Sequence, residues 1–108
     1  RYKKMTKTEI VSVLQELKPR YTKEGFVILG LFGSYAKDEA TSSSDVDILY
    51  DLDEGLYLQK YKGFKAASRL ADIKDELKNI LHADVDIADI QALGKVGKKY
   101  ILSEAVYV

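Results

Sequence analysis

Two short segments of the sequence carry residue types suited to phosphate chemistry. Gly33 and Ser34 follow an apolar run, and Asp45 and Asp47 open the next one, with ten residues between Ser34 and Asp45. Glycine permits a sharp turn and lets backbone N–H groups approach a phosphate, and a helix that starts there can add its N-terminus. We expect Gly33 and the Ser34 hydroxyl to hold the terminal phosphates of a nucleotide. Lys37, about one helical turn later, could add charge.

The paired aspartates predict a metal site. Because alternate residues of a strand lie on one face, the Asp45 and Asp47 side chains would stand about 7 Å apart along it. Two such carboxylates can converge on one cation or bridge two, and Mg²⁺ is usually bound by one or two carboxylates together with substrate phosphates. A third carboxylate on a neighbouring strand would complete a two-metal site. Asp84 and Asp86 share a face of a later strand-like segment, and the pattern alone does not choose between them.

Each feature also has an ordinary structural explanation. A Gly-Ser turn after a strand is common, and paired carboxylates can lie at an exposed sheet edge where solvent relieves their repulsion. His82 follows a long helical pattern, where solvent exposure or a contact with the helix dipole explains it better than catalysis. Tyr35, inside the motif, is the tyrosine expected to border a nucleotide. A solvated face is the simplest explanation for the nearby basic residues Lys95, Lys98 and Lys99.

The first half of the chain predicts a helix followed by a strand. The segment Thr6 to Glu9 forms a capping box, and the helix it starts should end after Lys18 because the only proline is Pro19. Residues 26–32 then form a continuous apolar run, which is typical of a central strand buried on both faces. This strand would deliver the chain directly to the Gly-Ser turn.

The rest of the chain predicts a mixed sheet with flanking helices, an α/β (α+β) fold. Residues 45–52 alternate between apolar and acidic side chains, which indicates a strand with one face of each kind. Apolar residues at helical spacing over 66–81 predict a long amphipathic helix. We expect a short third strand over 84–88, a last helix over 98–104 and a closing strand over 105–108.

Composition limits what the site could serve. A chain of 108 residues suits one domain, here residues 1–108. Its 17 basic residues equal its 17 acidic ones, so no bulk positive charge favours direct binding of nucleic acid. Cysteine is absent and no apolar run reaches the roughly 20 residues of a membrane span, which makes cytoplasmic location the default expectation. We expect Met5 to be the natural start, after the four residues Arg1 to Lys4.

Taken together, the motifs resemble the signature of one enzyme superfamily. The combination of Gly33-Ser34 with Asp45-x-Asp47 ten residues later is similar to that of the nucleotidyltransferases that include DNA polymerase β, poly(A) polymerases and aminoglycoside nucleotidyltransferases. In that family the third carboxylate lies in a Val-Asp-aliphatic sequence within a later strand. The segment 85–87 of this chain matches that sequence, which favours Asp86. The small size and the ending 101–108 look most like the minimal nucleotidyltransferases, the antitoxin partners of HEPN-domain RNase toxins.

The resemblance implies a polymerase β-like palm fold and a chemistry. An AMP unit would pass from ATP to a hydroxyl, most simply a tyrosine of the HEPN toxin, with pyrophosphate leaving. Asp45 and Asp47 would hold two Mg²⁺ ions, and Asp86 would ligate the catalytic ion and help to deprotonate the acceptor. Relatives commonly have Arg-Gly where this chain has Lys37 and Asp38. The alternatives are transfer to a small molecule or RNA, and a non-enzymatic antitoxin that caps the toxin.

Overall fold

The computed structural model describes residues 5–37, 39–41 and 44–108. Arg1 to Lys4, which precede the expected start at Met5, and Asp38 lie outside the described residues. Five α-helices, four strands and one short 3-10 helix are present in the described part of the chain. In order they are α1 (Lys7–Thr22), β1 (Phe26–Phe32), α2 (Gly33–Ala36), β2 (Val46–Leu52), α3 (Glu54–Lys60), α4 (Phe64–Leu81), β3 (Val85–Asp89), the 3-10 helix (Ile90–Ala92), α5 (Lys95–Glu104) and β4 (Val106–Tyr107).

The four strands form one mixed sheet in the order β3-β2-β1-β4. β1 runs antiparallel to both β2 and β4, whereas β2 and β3 are parallel. The parallel pairing is possible because α3 and α4 provide the long crossover that parallel strands need. The mixed sheet expected from the sequence is confirmed, and β3 lies at one of its edges.

The core lies between one face of the sheet and the two long helices. Side chains of α1, including Ile10 and Leu14, and side chains of α4, including Ile73 and Leu77, are fully buried against it. The expected alternation in β2 is confirmed, because Val46, Ile48 and Tyr50 are buried in this core while Asp47 alternates with them. The expectation that β1 is buried on both faces holds for one face only, since positions 27 and 29 are partly exposed.

The prediction that Pro19 ends the first helix is wrong. The capping box of Thr6 and Glu9 forms as expected, but α1 continues through Pro19 to Thr22. A proline inside a helix removes one hydrogen bond and costs about 3 kcal/mol. Here the proline face is exposed to solvent, so water can reach the freed carbonyl group. The last turn carries the fully buried Tyr21, whose ring packs edge-on against Phe26 at 5.9 Å, and this burial holds the turn in helical form.

A half-buried polar network fixes α4 to the end of α1 and the start of β1. Arg69 on α4 donates two hydrogen bonds to the Glu24 carboxylate, at 2.7 and 2.8 Å, and a third to Glu76 at 2.6 Å. The Tyr21 hydroxyl donates to the other oxygen of Glu76 at 2.6 Å, and Tyr61 donates to Glu24. Because α4 is anchored in this way at its first half, its second half is held along β3. The amphipathic helix expected over 66–81 is confirmed.

Candidate active site

Three neighbouring strands bring the expected site residues to one end of the sheet. In the antiparallel pairing Phe32 of β1 lies opposite Asp47 of β2, and in the parallel pairing Asp47 lies opposite Asp86 of β3. The Gly33 turn leaves β1 directly after Phe32, so it adjoins Asp47 on the side away from Asp86. Asp45 stands one residue before β2 and is exposed. Asp47 therefore occupies the middle of the constellation.

The register also separates the two candidates for the third carboxylate. Asp86 is the partner of Asp47, whereas Asp84 precedes β3 and contributes its backbone carbonyl to Val46 at 2.8 Å. The Asp84 side chain is turned to solvent and pairs with Lys78 at 3.2 Å. The structure thus brings Asp86 to Asp47, and it does not bring Asp84 there.

Gly33 is required at its position by two independent features. Its φ of +71° lies in the left-handed region, which side-chain-bearing residues rarely adopt. A Cβ at this position would overlap the Oδ2 atom of Asp47 and lie 3.1 Å from its Cγ atom. The Asp47 carboxylate therefore rests directly on the turn, in the space that the missing side chain leaves open.

The charges around Asp47 favour a bound cation. Partial burial raises the pKa of Asp47 above its ordinary value, and the carboxylates of Asp86 and Asp45 raise it further. Three negative groups are thus close enough to oppose the ionisation of the middle one. Oxygen donors of this kind suit a hard cation such as Mg²⁺.

The carboxylates do not form a complete metal cage. Among the described residues, no group of three or more Asp, Glu, His or Cys side chains converges closely enough to enclose an ion. This donor set still fits Mg²⁺, because that ion keeps several waters and takes phosphate oxygens from a substrate in addition to one or two carboxylates.

Ser34 and Tyr35 differ in what they can offer a phosphate. Both lie in α2, a single turn of four residues, so the N–H groups at its start matter more than any helix dipole. Ser34 is partly exposed, and its carbonyl accepts a hydrogen bond from Glu39 at 2.8 Å. The Tyr35 side chain is only 6% exposed and belongs to the core. Because its ring is buried, Tyr35 can contact a phosphate through its backbone but not through its ring.

Lys37 connects the turn to α5. Its ammonium group donates a hydrogen bond to the Tyr100 hydroxyl at 2.8 Å and lies 3.9 Å from the Glu104 carboxylate. The hydrogen bond to Tyr100 favours the charged form of Lys37 and raises its pKa. In this position it faces α5, and it would have to leave Tyr100 to reach a phosphate.

An apolar pocket of ≈ 310 Å³ lies between the Gly33 turn and α5. Its walls include the ring of Tyr100 and the side chain of Ile101, and Lys37 and Glu104 stand at its rim. Sequence analysis missed this pocket because α5 begins at Lys95, one turn earlier than expected, and because nothing in the local pattern shows that it packs beside the turn. The basic residues Lys95, Lys98 and Lys99 of α5 are exposed, as a solvated face requires.

An open groove of ≈ 410 Å³ lies on the opposite side of the carboxylates, between α4 and β3. Lys74 and Lys78 of α4 border it, and the Lys74 ammonium lies 3.5 Å from Oδ1 of Asp86. Their spacing of four residues could have placed them on one helical face, but only the fold shows which acids they meet. His82 caps the end of α4 with a φ of 53° and does not line this groove.

Fold and site together define a class of nucleotide-transferring proteins, and comparison with known proteins identifies the family. A family model described as "Polymerase beta, Nucleotidyltransferase" matches residues 7–108. The chain therefore belongs to the polymerase β nucleotidyltransferase family and is a nucleotidyltransferase. The similarity to the minimal members seen in the sequence is confirmed by the relatives.

Among the relatives is the protein adenylyltransferase MntA of Thermococcus cleftensis, which is 34% identical over an alignment that covers 96% of this chain and 97% of MntA. Among solved structures, a candidate minimal nucleotidyltransferase aligns over 96% of this chain and 97% of its own, with a TM-score of 0.73 and 26% identity. A chain from a toxin–antitoxin complex with AMP-PNP shares the fold, with a TM-score of 0.60 and 20% identity over 95% of this chain and 72% of its own.

None of the helices in the described part of this chain has both the length and the apolar character that crossing a membrane requires.

Proposed function

We propose that this chain, as a single cytoplasmic domain, transfers AMP from ATP to a tyrosine hydroxyl of a HEPN-domain RNase toxin and thereby acts as its antitoxin. The observation that carries the proposal is the position of Asp47, between the Gly33 turn on one side and Asp86 on the other. The name of the MntA relative supports protein adenylylation, and the toxin–antitoxin neighbour with AMP-PNP supports an ATP donor and a toxin partner.

The chemistry requires a divalent cation, and the carboxylates are suited to one. Asp45 and Asp47 would hold two Mg²⁺ ions, with Asp86 as a further ligand of the catalytic one. When bound, the metal neutralises charge on the triphosphate and makes the acceptor hydroxyl easier to deprotonate.

The donor nucleotide has a suitable surface on the β1 side of Asp47. The Gly33 turn offers backbone N–H groups to the terminal phosphates, as in other phosphate-binding turns. The apolar pocket between this turn and α5 suits a flat nucleobase, because Tyr100 presents an aromatic ring and Gly97 leaves space beside it. A terminal phosphate would also compete with Tyr100 and Glu104 for the Lys37 ammonium.

The acceptor then enters from the β3 side. The groove beside Asp86 is open, and its bordering side chains are about half exposed, with 45% for Lys74 and 58% for Asp86. A surface of this kind suits a side chain presented by another protein better than a small molecule that must be enclosed. Asp86 would accept the tyrosine proton as the new bond to the α-phosphorus forms and pyrophosphate leaves.

The test is direct transfer to the protein encoded by the neighbouring open reading frame. Purified chain, ATP and Mg²⁺ should add one adenylate to a tyrosine of a HEPN-domain neighbour, as measured by intact mass and peptide mapping. Asp86→Asn should abolish the transfer. Asp84→Asn is the matched control, because Asp84 lies on the same segment but pairs with Lys78, and it should retain activity within about threefold.

Three outcomes would contradict the proposal. An unmodified partner with active wild-type protein would exclude a toxin acceptor. Labelled transfer to RNA or to a small molecule without any partner would support the alternative nucleotidyltransferase function. Neutralisation of the toxin by an Asp45→Asn, Asp47→Asn double variant as well as by the wild type would show that the chain caps the toxin without catalysis.

A further inference from the structure

The groove on the β3 side contains a cation that the family signature does not include. Lys74 extends from α4 to within 3.5 Å of the Asp86 carboxylate. The other groups that line the groove are mostly acidic, namely Asp45, Asp75, Asp84 and Asp86. Among the described lining residues, the cations are Lys74 and Lys78, and only Lys74 reaches the carboxylate that is in register with Asp47.

This arrangement raises a specific difficulty for the acceptor. A tyrosine that loses its proton here develops negative charge beside several carboxylates, and like charges at such distances are unfavourable. Donors that stabilise charge as it develops provide a large part of the acceleration in many enzymes. A cation at the acceptor oxygen would therefore act on the rate of transfer.

We propose that Lys74 is a catalytic residue on the acceptor side, whose ammonium group donates a hydrogen bond to the attacking tyrosine oxygen. This proposal rests on the proposed function and names a residue that positions and activates the acceptor. In the proposed function the donor phosphates bind on the Gly33 side of Asp47, which leaves the opposite side of Asp86 to the acceptor, and Lys74 stands on that side. Lys74 is 45% exposed, and the one pairing of its ammonium group seen among the described residues is with Asp86, so the side chain can turn towards an entering hydroxyl.

The step balances without any further reactant. The tyrosine O–H proton passes to the Asp86 carboxylate, and the phenolate oxygen forms a bond to the α-phosphorus of ATP. The bond from that phosphorus to the bridging oxygen breaks, and pyrophosphate leaves with the electron pair. Lys74 remains protonated throughout and contributes only its positive charge and its hydrogen bond.

The experiment compares two lysines of the same helix in single-turnover transfer to the partner protein. Lys74→Met keeps the length of the side chain and removes the charge. We expect it to lower the rate of transfer about 10- to 100-fold, which is the factor that corresponds to the loss of one hydrogen bond to a charged oxygen. Lys65→Met is the control on the same helix and should stay within about threefold, because Lys65 is exposed and does not line the groove. Lys74→Arg should restore most of the rate.

Two further measurements distinguish contact with the acceptor from support of Asp86. Calorimetric binding of a non-hydrolysable ATP analogue with Mg²⁺ should change less than about threefold in Lys74→Met, since the donor side is untouched. A partner carrying fluorinated tyrosine has a more acidic acceptor that needs less stabilisation. With this partner the Lys74→Met defect should shrink at least several-fold, which a purely structural role would not produce.

The proposal is overturned by any of three results: equal defects in Lys74→Met and Lys65→Met, a loss of analogue binding that matches the loss of rate, or an unchanged defect with the fluorinated partner. Failure of the proposed function is a different observation, because the wild type itself would then leave the tyrosine unmodified. That outcome refutes the role of Lys74 along with the function.

Discussion

Replacing Gly33 by alanine tests whether the turn and the middle carboxylate are built around each other. Two costs add at this position. An alanine with φ near +71° is strained by about 1–2 kcal/mol. Its Cβ would also lie 3.1 Å from Cγ and 3.3 Å from Cβ of Asp47 and would overlap Oδ2. The carboxylate must therefore rotate out of its preferred position, at a cost of about 0.5–1.5 kcal/mol.

The two costs predict a total destabilisation of about 1.5–3.5 kcal/mol. For a domain of roughly 100 residues, this lowers the melting temperature by about 7–16 °C. The effect on catalysis should be larger than the effect on stability, because displacing a catalytic group by about 1 Å can reduce a rate by about 100-fold. Thermal denaturation and adenylate transfer below the melting point measure the two effects separately.

Gly63 provides the control for backbone strain. It also has a positive φ, of +59°, but no atom lies within 4 Å of the Cβ that an alanine would carry. Because its ψ is −130°, which lies outside the left-handed helical region, Gly63→Ala should lose about 1–3 kcal/mol from backbone strain alone and retain transfer activity. If Gly33→Ala matched Gly63→Ala in both stability and activity, the proposed contact between the turn and Asp47 would have no functional meaning.

Two further predictions concern charges. Asp47 has a raised pKa in the folded protein, so its ionised form opposes folding. Asp47→Asn should therefore be more stable than wild type at pH 7 without metal, and this gain in stability should shrink as the pH falls through the folded pKa of Asp47. In urea titrations, added Mg²⁺ should stabilise only the wild type. Arg69→Met should cost about 2–4 kcal/mol at pH 7, because it leaves two half-buried carboxylates without their partner. The hydrogen bonds from Arg69 hold the pKa of Glu24 below its usual value of 4.5. The stabilisation that Glu24 gains from Arg69 is therefore present above pH 4.5 and is lost as the pH falls further. Arg69→Met should accordingly destabilise the protein less at about pH 3.5 than at pH 7. Arg20→Met is the control, since Arg20 is 60% exposed and lies 4.0 Å from Glu76, and it should cost less than about 1 kcal/mol.

Local sequence rules predicted most of the elements because each rule acts within a few residues. The apolar run 26–32 and the alternation beginning at Asp45 correspond to β1 and β2 almost residue for residue. The helical periodicity over 66–81 gave α4 with an error of two residues at its start. Pro19 shows the limit of such rules, because burial of Tyr21, a contact made between distant segments, overrides the local preference of the proline.

The site itself was only partly predictable for the same reason. Gly33 and the Asp45-x-Asp47 pair are short-range signals that spacing reveals. Alternation alone left Asp84 and Asp86 open, and only the resemblance to the family's Val-Asp-aliphatic segment favoured Asp86, because the register of a parallel pair joined by a long crossover cannot be read from spacing. The hydrogen bond of Lys37 to Tyr100 joins residues 63 positions apart, and the pairing of Lys74 with Asp86 depends on how α4 lies along β3. These contacts follow from packing of the whole chain.

The position of Asp47 also argues against the ordinary explanation of the paired carboxylates. Acidic residues on an exposed sheet edge need no ligand, because solvent relieves their repulsion. That explanation suits Asp84, which is 72% exposed in its side chain and precedes the edge strand β3. It does not suit Asp47, which lies on the internal strand β2 with its carboxylate against the Gly33 turn. The pKa of Asp47 is raised mainly by burial and further by the carboxylates of Asp86 and Asp45. A fold that holds a carboxylate where burial and like charges oppose its ionisation gains stability when a cation binds there, so the features that weaken the isolated protein are those that a metal-bound nucleotide would offset.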